Sequence, residues 1–160
     1  MNGDRITHAL SRDLVTKGLF AGIGCPDLPL PQITKTPAVV VLNTDLYRNP
    51  GEHWCIMLFE NTVDRYFFDS FGRQPSYYGF PDHISQERPK SKCKYNSKVI
   101  QHVLSKTCGH HCIFFVYHLG KGYKPNDIVN LYSNSKLRAN DYSAFDFVVN
   151  RYGTHIAGVL

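Results

Sequence analysis

Cys108 opens the segment "CGHHCIFFVYHLGKG", an apolar run of helical length that follows a polar stretch of chain. A cysteine placed where coil enters a helix has its sulfur beside unpaired backbone N–H groups and the positive end of the helix dipole. Both favour the thiolate, which is the nucleophilic form. Gly109 leaves room behind it for a substrate backbone, and Cys112, one turn further on the same face, is expected to pack in the core unreacted. A thiol nucleophile needs a base. His53, in "GEHWCIMLFE", puts an imidazole at the mouth of an otherwise apolar strand, where a rigid sheet can hold the ring. His110 and His111 point outward from the helix entrance and do not reach back to Cys108. Asp69 closes "YFFDSFG" and lies at the same sheet edge as His53 if the two strands pair, where it would orient the ring. Gln101, seven residues before Cys108, can offer its amide to a developing oxyanion alongside the Cys108 N–H. Taken singly, these residues have ordinary readings as a buried structural cysteine, a turn aspartate and a surface glutamine. Their combination describes acyl transfer.

The elements that must hold these groups alternate between two periodicities. Residues 6–17 read as a helix with Ile6, Ala9, Leu10, Leu14 and Val15 near one face. "GIGCPDLPLPQ" is rich in Gly and Pro and reads as loop. "TPAVVVLNT", "HWCIMLFE" and "DRYFFDSFG" read as strands, the last two joined by a turn at "NTVD". Their continuous apolarity implies burial on both faces, hence a central sheet covered by helices. The stretch 73–98 is polar and broken by Pro75, Pro81 and Pro89, so it reads mostly as loop. The cysteine segment then forms a buried helix with Thr107 as its cap and Gly120 or Gly122 as its stop. Two more helices follow in "PNDIVNLY" and "ANDYSAFDFVVNRYG", with Ile128, Val129, Leu131, Phe145, Val148 and Val149 inward. The expected fold class is α+β: a central mixed β-sheet flanked by helices, the nucleophile at the N-terminus of a buried helix, and 1–160 as one domain.

Composition narrows the setting. A chain of 160 residues can bury a core without staples, and 42% hydrophobic with 19% charged residues is ordinary for a globular protein. No apolar run is long enough to span a bilayer, so the expectation is a soluble, intracellular, monomeric protein without membrane contact. Five cysteines make no obvious disulfide framework. A zinc site built from Cys93, Cys108, His111 and Cys112 lacks the tight paired spacing of structural zinc sites, and no metal is expected. A net charge of +5 suits a polyanionic neighbour, though basic charge alone specifies none.

The order His53, Asp69, Gln101, Cys108 resembles the adenovirus-type cysteine proteases (the adenain family) and, more distantly, the SUMO-deconjugating proteases of the same clan. "VVVLNTDLYRNPGEHW", "YFFDSFG", Gln101 followed by "CGHHC", and "LRANDYSAFDFVV" carry the likeness, which covers roughly residues 5–152. The family has Glu where this chain has Asp69, while the deconjugating relatives use Asp. The second cysteine of the family's Cys-Cys pair is Ile113 here.

The resemblance implies a general base at His53, its orienting partner at Asp69, an oxyanion donor at Gln101 and the nucleophile at Cys108. It further implies a cysteine endopeptidase that cleaves precursor proteins of a virus or mobile element at Gly-containing sites during virion maturation, in the virion and host nucleus. Trp54 would pack beside the active-site ring. Activation by a viral peptide joined through Cys93, and by non-specific DNA meeting Lys90, Lys92, Lys94 and Lys98, belongs to the same implication; no metal or organic cofactor does. "FAGIG" loosely resembles a cleavage site, with self-cleavage after Ile23. The alternatives are a deconjugating isopeptidase for ubiquitin-like tails and a non-enzymatic basic binding module.

Overall fold

A computed structural model of the chain describes residues 1–49, 51–80 and 93–160. The first helix, α1 (Gly3–Arg12), is capped by Asn2, whose side chain accepts from the Arg5 N–H, and it buries Ile6, Ala9 and Leu10. It stops five residues before the expected end. The Asp13 carboxylate takes the Val15 N–H, and the chain turns away, leaving Leu14 80% exposed. Strand β1 (Phe20–Gly24) follows, where the glycines had suggested loop. It pairs parallel with β2 (Ala38–Asn43) at the sheet edge, and Ile23 sits opposite Val41 in that ladder.

Strands β3 (Trp54–Phe59) and β4 (Arg65–Phe68) continue the sheet antiparallel, and β5 (Cys93–Tyr95) adds to β4 in parallel. The strand order is thus β1-β2-β3-β4-β5, a mixed sheet in chain order. A 3₁₀ turn, Pro75–Tyr78, and strand β5 both occur within the stretch that read as loop. Neither follows from local propensity. The 3₁₀ turn is started by Pro75, and β5 is a three-residue strand that depends on its neighbour for hydrogen bonds.

Alternation along β3 explains its unbroken apolarity. Trp54, Ile56 and Leu58 join the cluster under the helices, whereas Cys55, Met57 and Phe59 join a second cluster on the opposite face with Val40, Leu42, Phe67 and Phe80. The first cluster is closed by α1 and by α2 (Cys108–Gly120), α3 (Pro125–Asn130), α4 (Leu137–Tyr152) and α5 (Thr154–Ala157). The described cover of the second comes from Leu30, Ile33, Tyr78 and Phe80. Helix α3 ends before Leu131, which is accordingly 53% exposed instead of inward. Val148 is fully buried, with Phe145 and Val149 packed partly against the core.

Two carboxylate clamps fasten the helical layer. Arg151 on α4 makes a two-pronged bond to Asp13, Nε to Oδ2 at 2.6 Å and Nη2 to Oδ1 at 3.0 Å, and the Tyr152 hydroxyl adds a third at 2.7 Å. Burial works against the Asp13 charge, but these partners outweigh it and hold the carboxyl at a pKa of about 2. At the other end of the layer, Asp141 on α4 bonds His111 on α2 at 2.9 Å.

Candidate active site

The loop before β3 and the turn after β4 end at the same edge of the sheet. Their strands pair with Ile56 opposite Phe68, which brings His53 and Asp69 together. The His53 Nε2 lies 2.6 Å from Asp69 Oδ1, both residues buried. A buried carboxylate survives only with its oxygens satisfied. Asp69 achieves this by accepting from the Phe71 N–H at 3.0 Å, the Arg73 N–H at 2.9 Å and the Tyr78 hydroxyl at 2.9 Å. Asn96 clamps the Asp69 backbone from both sides, accepting its N–H at 2.9 Å and donating to its carbonyl at 2.7 Å. The tight return of this turn requires Gly72. Its φ of +68° favours glycine, and a Cβ there would meet the Ser97 carbonyl oxygen at 2.7 Å.

Cys108 begins α2, as the sequence implied, and its thiol lies close enough to His53 for the ring to act on its charge. With Nε2 engaged by Asp69, Nδ1 is the ring nitrogen left for sulfur. Burial pushes the Cys108 thiol up. The nearby His53 ring and its charge, with the backbone of Trp54 and Gly109, reverse this and bring its pKa below that of an ordinary thiol. For His53, burial disfavours the charged ring, but Asp69 and then Cys108 overcome it and raise the pKa to about 9. Both shifts run in the direction of a thiolate–imidazolium pair.

The imidazole is stacked by Phe71, with centroids 4.8 Å apart, and by Tyr78 at 5.7 Å. Trp54 does something else. Adjacent strand residues face opposite ways, so its indole turns into the helical core, where Nε1 donates to the Met1 carbonyl at 3.0 Å and the ring packs on Gly3. Gly109 also faces this N-terminal segment: a Cβ there would meet Met1 Sδ at 3.1 Å and Ile6. The space attributed to a substrate backbone is therefore taken by Met1 and Ile6.

Gln101 is buried and held at both ends of its amide. Oε1 accepts from the Ser70 hydroxyl at 2.6 Å, and Nε2 donates to the Ser105 carbonyl at 3.0 Å, leaving a second N–H on that nitrogen. The two histidines that follow Cys108 in α2 are structural. His110 binds the Ala157 carbonyl at 2.9 Å, and burial, with the neighbouring N-terminal amine and His111, keeps its pKa down near 4. His111 is spanned by Asp141 and Tyr132.

Cys112 is fully buried beside the Trp54 carbonyl, and burial pushes its pKa well up, which suits an inert thiol. Cys93, on edge strand β5, is half-buried. Those positions do not bring Cys93, Cys108, His111 and Cys112 together as a zinc site, since both His111 nitrogens are already bonded. Among the described residues, the group whose ligand atoms come within 4.8 Å of one another is His53, Cys55 and Asp69, at the sheet edge that holds the His53–Asp69 pair. Burial keeps the Cys55 thiol protonated, which suits it poorly to ligation.

Of the four lysines singled out for phosphate, Lys90 and Lys92 lie outside the described residues. Lys98 donates to the Val129 and Tyr132 carbonyls at the end of α3, where the helix dipole favours a cation. A cavity of about 910 Å³, lined by Leu30, Ile33, Phe59 and Arg65, lies at the ends of β3 and β4 away from His53 and Asp69. No helix among the described residues is long and apolar enough to cross a membrane.

Tyr78, Phe71, Asn96 and Ser70 were missed in the sequence. The one available signal was the cluster Tyr77, Tyr78 and Phe80, whose aromatic character is out of place in a polar, proline-broken stretch.

Among solved structures, the chain is similar to the ASFV pS273R protease, with a TM-score of 0.54 and 11% identity over 90% of this chain. It is likewise similar to the selenomethionine form of that protease, at a TM-score of 0.55 and 14% identity over the whole chain. The chain spans 65% and 68% of the lengths of those two chains. No protein-family model matches the sequence, and no curated protein matches it. At such identities the likeness is one of fold: the mixed sheet with its helices is shared with that protease, and adenovirus-type enzymes are not singled out.

Proposed function

We propose that this chain is a cysteine endopeptidase in which His53 is the general base, Asp69 its orienting partner, Cys108 the nucleophile and Gln101 an oxyanion donor. One observation carries the reading: the thiol at the first residue of a buried helix lies within electrostatic reach of a histidine that is itself held at 2.6 Å by a fully satisfied carboxylate. The Cys108 thiolate attacks the scissile carbonyl carbon, forming a C–S bond and moving the π electrons onto oxygen. The Cys108 N–H and the remaining Gln101 N–H stabilise that charge. As the oxyanion collapses, the C–N bond breaks, and the His53 imidazolium gives its proton to the departing amine. Water, deprotonated by His53, then attacks the thioester; the C–S bond breaks and the thiolate returns to its imidazolium partner.

Precursor proteins of a virus or mobile element, cut at Gly-containing sites during virion maturation in the virion or host nucleus, are the substrates this reading adopts from the sequence resemblance. An activating peptide joined at Cys93 and stimulation by DNA come from the same source. The test is cleavage of matched peptides with and without glycine at the scissile position, alongside a ubiquitin-like adduct, each compared with Cys108→Ala. Cleavage of the glycine peptides alone, abolished in Cys108→Ala, is expected. Cleavage confined to the adduct would replace the endopeptidase with an isopeptidase, and cleavage that survives Cys108→Ala would sink both.

A further inference from the structure

Helix α4 touches neither His53 nor Cys108 in the bonds described above, yet its first turns carry two buried polar side chains, Asn140 and Asp141, aimed at the active-site loop. Their bonds bracket a single residue. Asn140 Nδ2 donates to the carbonyl of Ile100 at 3.0 Å, and Asp141 Oδ2 accepts the N–H of His102 at 3.1 Å. Gln101 lies between them. Asn140 is itself fixed by Ser133, donating to its carbonyl at 2.9 Å and accepting its N–H at 2.9 Å.

The other oxygen of Asp141 reaches the start of α2. Oδ1 accepts from the Thr107 hydroxyl at 2.8 Å and from His111 Nε2 at 2.9 Å. Because Thr107 spends its proton on Asp141, Ser105 Oγ is the donor in its 3.0 Å bond to Thr107 Oγ1. Ser105 also supplies the carbonyl that holds the Gln101 amide. Thr107 is the residue before Cys108, and it does not use its side chain to cap the helix. The polar chain therefore runs Ser70, Gln101, Ser105, Thr107, Asp141, His111, Tyr132 without a break.

Burying a carboxylate here costs free energy that an apolar side chain would not, and a packed helix needs no such group. All three donors to Asp141 lie in the segment 102–111, on either side of Cys108 and next to Gln101. We infer that Asn140 and Asp141 are positioning residues that hold the Gln101 amide where an oxyanion forms, with Asp141 tying that hold to the start of α2 through Thr107 and His111. The inference rests on the proposed role of Gln101 and deepens it. Asp141→Asn leaves an acceptor for Thr107 and His111 but sets an NH₂ group against the His102 N–H, which releases the loop at Gln101.

Two reactions of Cys108 separate this role from general scaffolding. Acetylation by p-nitrophenyl acetate passes through a tetrahedral oxyanion: the C–S bond forms, the C–O bond breaks and p-nitrophenolate leaves. Alkylation by iodoacetamide displaces iodide at an sp³ carbon and builds no oxyanion. Rates of both, read at Cys108 by mass spectrometry, give a ratio that reports on the oxyanion donors. Gln101→Ala should lower that ratio on the order of a hundredfold. Asp141→Asn and Thr107→Val should each lower it roughly tenfold or more, with alkylation unchanged, while Thr107→Ser keeps the hydroxyl and the wild-type ratio. Gln101→Ala combined with Asp141→Asn should be no worse than Gln101→Ala alone.

An unchanged ratio, a parallel fall in both rates, or additive losses in the double variant would each overturn the inference. If wild-type Cys108 reacts with neither reagent faster than an ordinary thiol, the proposed catalytic reading itself fails, and that result is distinct from the other three.

Discussion

Replacing Asp69 with asparagine tests how the histidine is charged. In the wild type, His53 is lifted to about 9 from an ordinary 6.5, against the burial that would lower it. At about 1.4 kcal/mol for each pH unit, that separation corresponds to roughly 3 kcal/mol in favour of the imidazolium. Two groups supply it, Asp69 first and Cys108 second. A charge-assisted hydrogen bond is worth about 1.5–3 kcal/mol, so the 2.6 Å contact with Asp69 is comparable in size to the net rise. Asp69→Asn keeps an acceptor for the Phe71 N–H but removes the charge. His53 should then titrate one to two pH units lower, on the order of those energies. The assay is the ring-carbon NMR shift of labelled histidine followed across pH, with the His53 signal identified by its loss in His53→Ala. A His53 still titrating near 9 in Asp69→Asn would refute the argument, since the carboxylate would then contribute nothing to the ion pair.

Two further outcomes follow from the same structure. Tyr78→Phe removes one hydrogen bond to Asp69 but keeps the ring on His53; alkylation of Cys108 near neutral pH should fall by about tenfold or less, with Tm lowered by a few degrees, and a loss as deep as that of His53→Ala would mean that Tyr78 acts directly on the sulfur. Stability should fall with acid in two windows, checked by urea unfolding at fixed pH. Between about 6.5 and 4 the unfolded chain binds a proton that buried His110 refuses, and His110→Gln should flatten that limb. The depressed Asp13 carboxyl adds stability that is complete above its unfolded pKa of about 3.9 and is lost as pH falls toward 2; Asp13→Asn should flatten that second limb.

The legible parts of the fold were those where burial speaks through composition. Three apolar strands and the helix from Cys108 to Gly120 stand where periodicity and the run of buried side chains put them. Phe20–Gly24 was hidden because an edge strand of small residues gains its order from the neighbouring β2, and Cys93–Tyr95 was hidden by its length and its dependence on β4. His53 and Asp69 could be paired from the sequence because one opens and the other closes strands that proved adjacent. Asn96, Asn140 and Asp141 could not. Their work consists of hydrogen bonds to backbone groups 27 to 40 residues away, and such bonds leave no local pattern. Trp54 illustrates the converse: the resemblance implied contact with the active-site ring, and strand alternation sent the indole into the helical core.

The most direct test of the central claim is alkylation of Cys108 at mildly acidic pH, mapped by mass spectrometry in the wild type and in His53→Ala. A thiolate held by an imidazolium stays reactive where ordinary thiols, with a pKa of about 8.5, are protonated. The account predicts fast labelling confined to Cys108 and its loss in His53→Ala. Slow labelling of Cys108 at the rate of an ordinary thiol, or fast labelling that persists without His53, would contradict it.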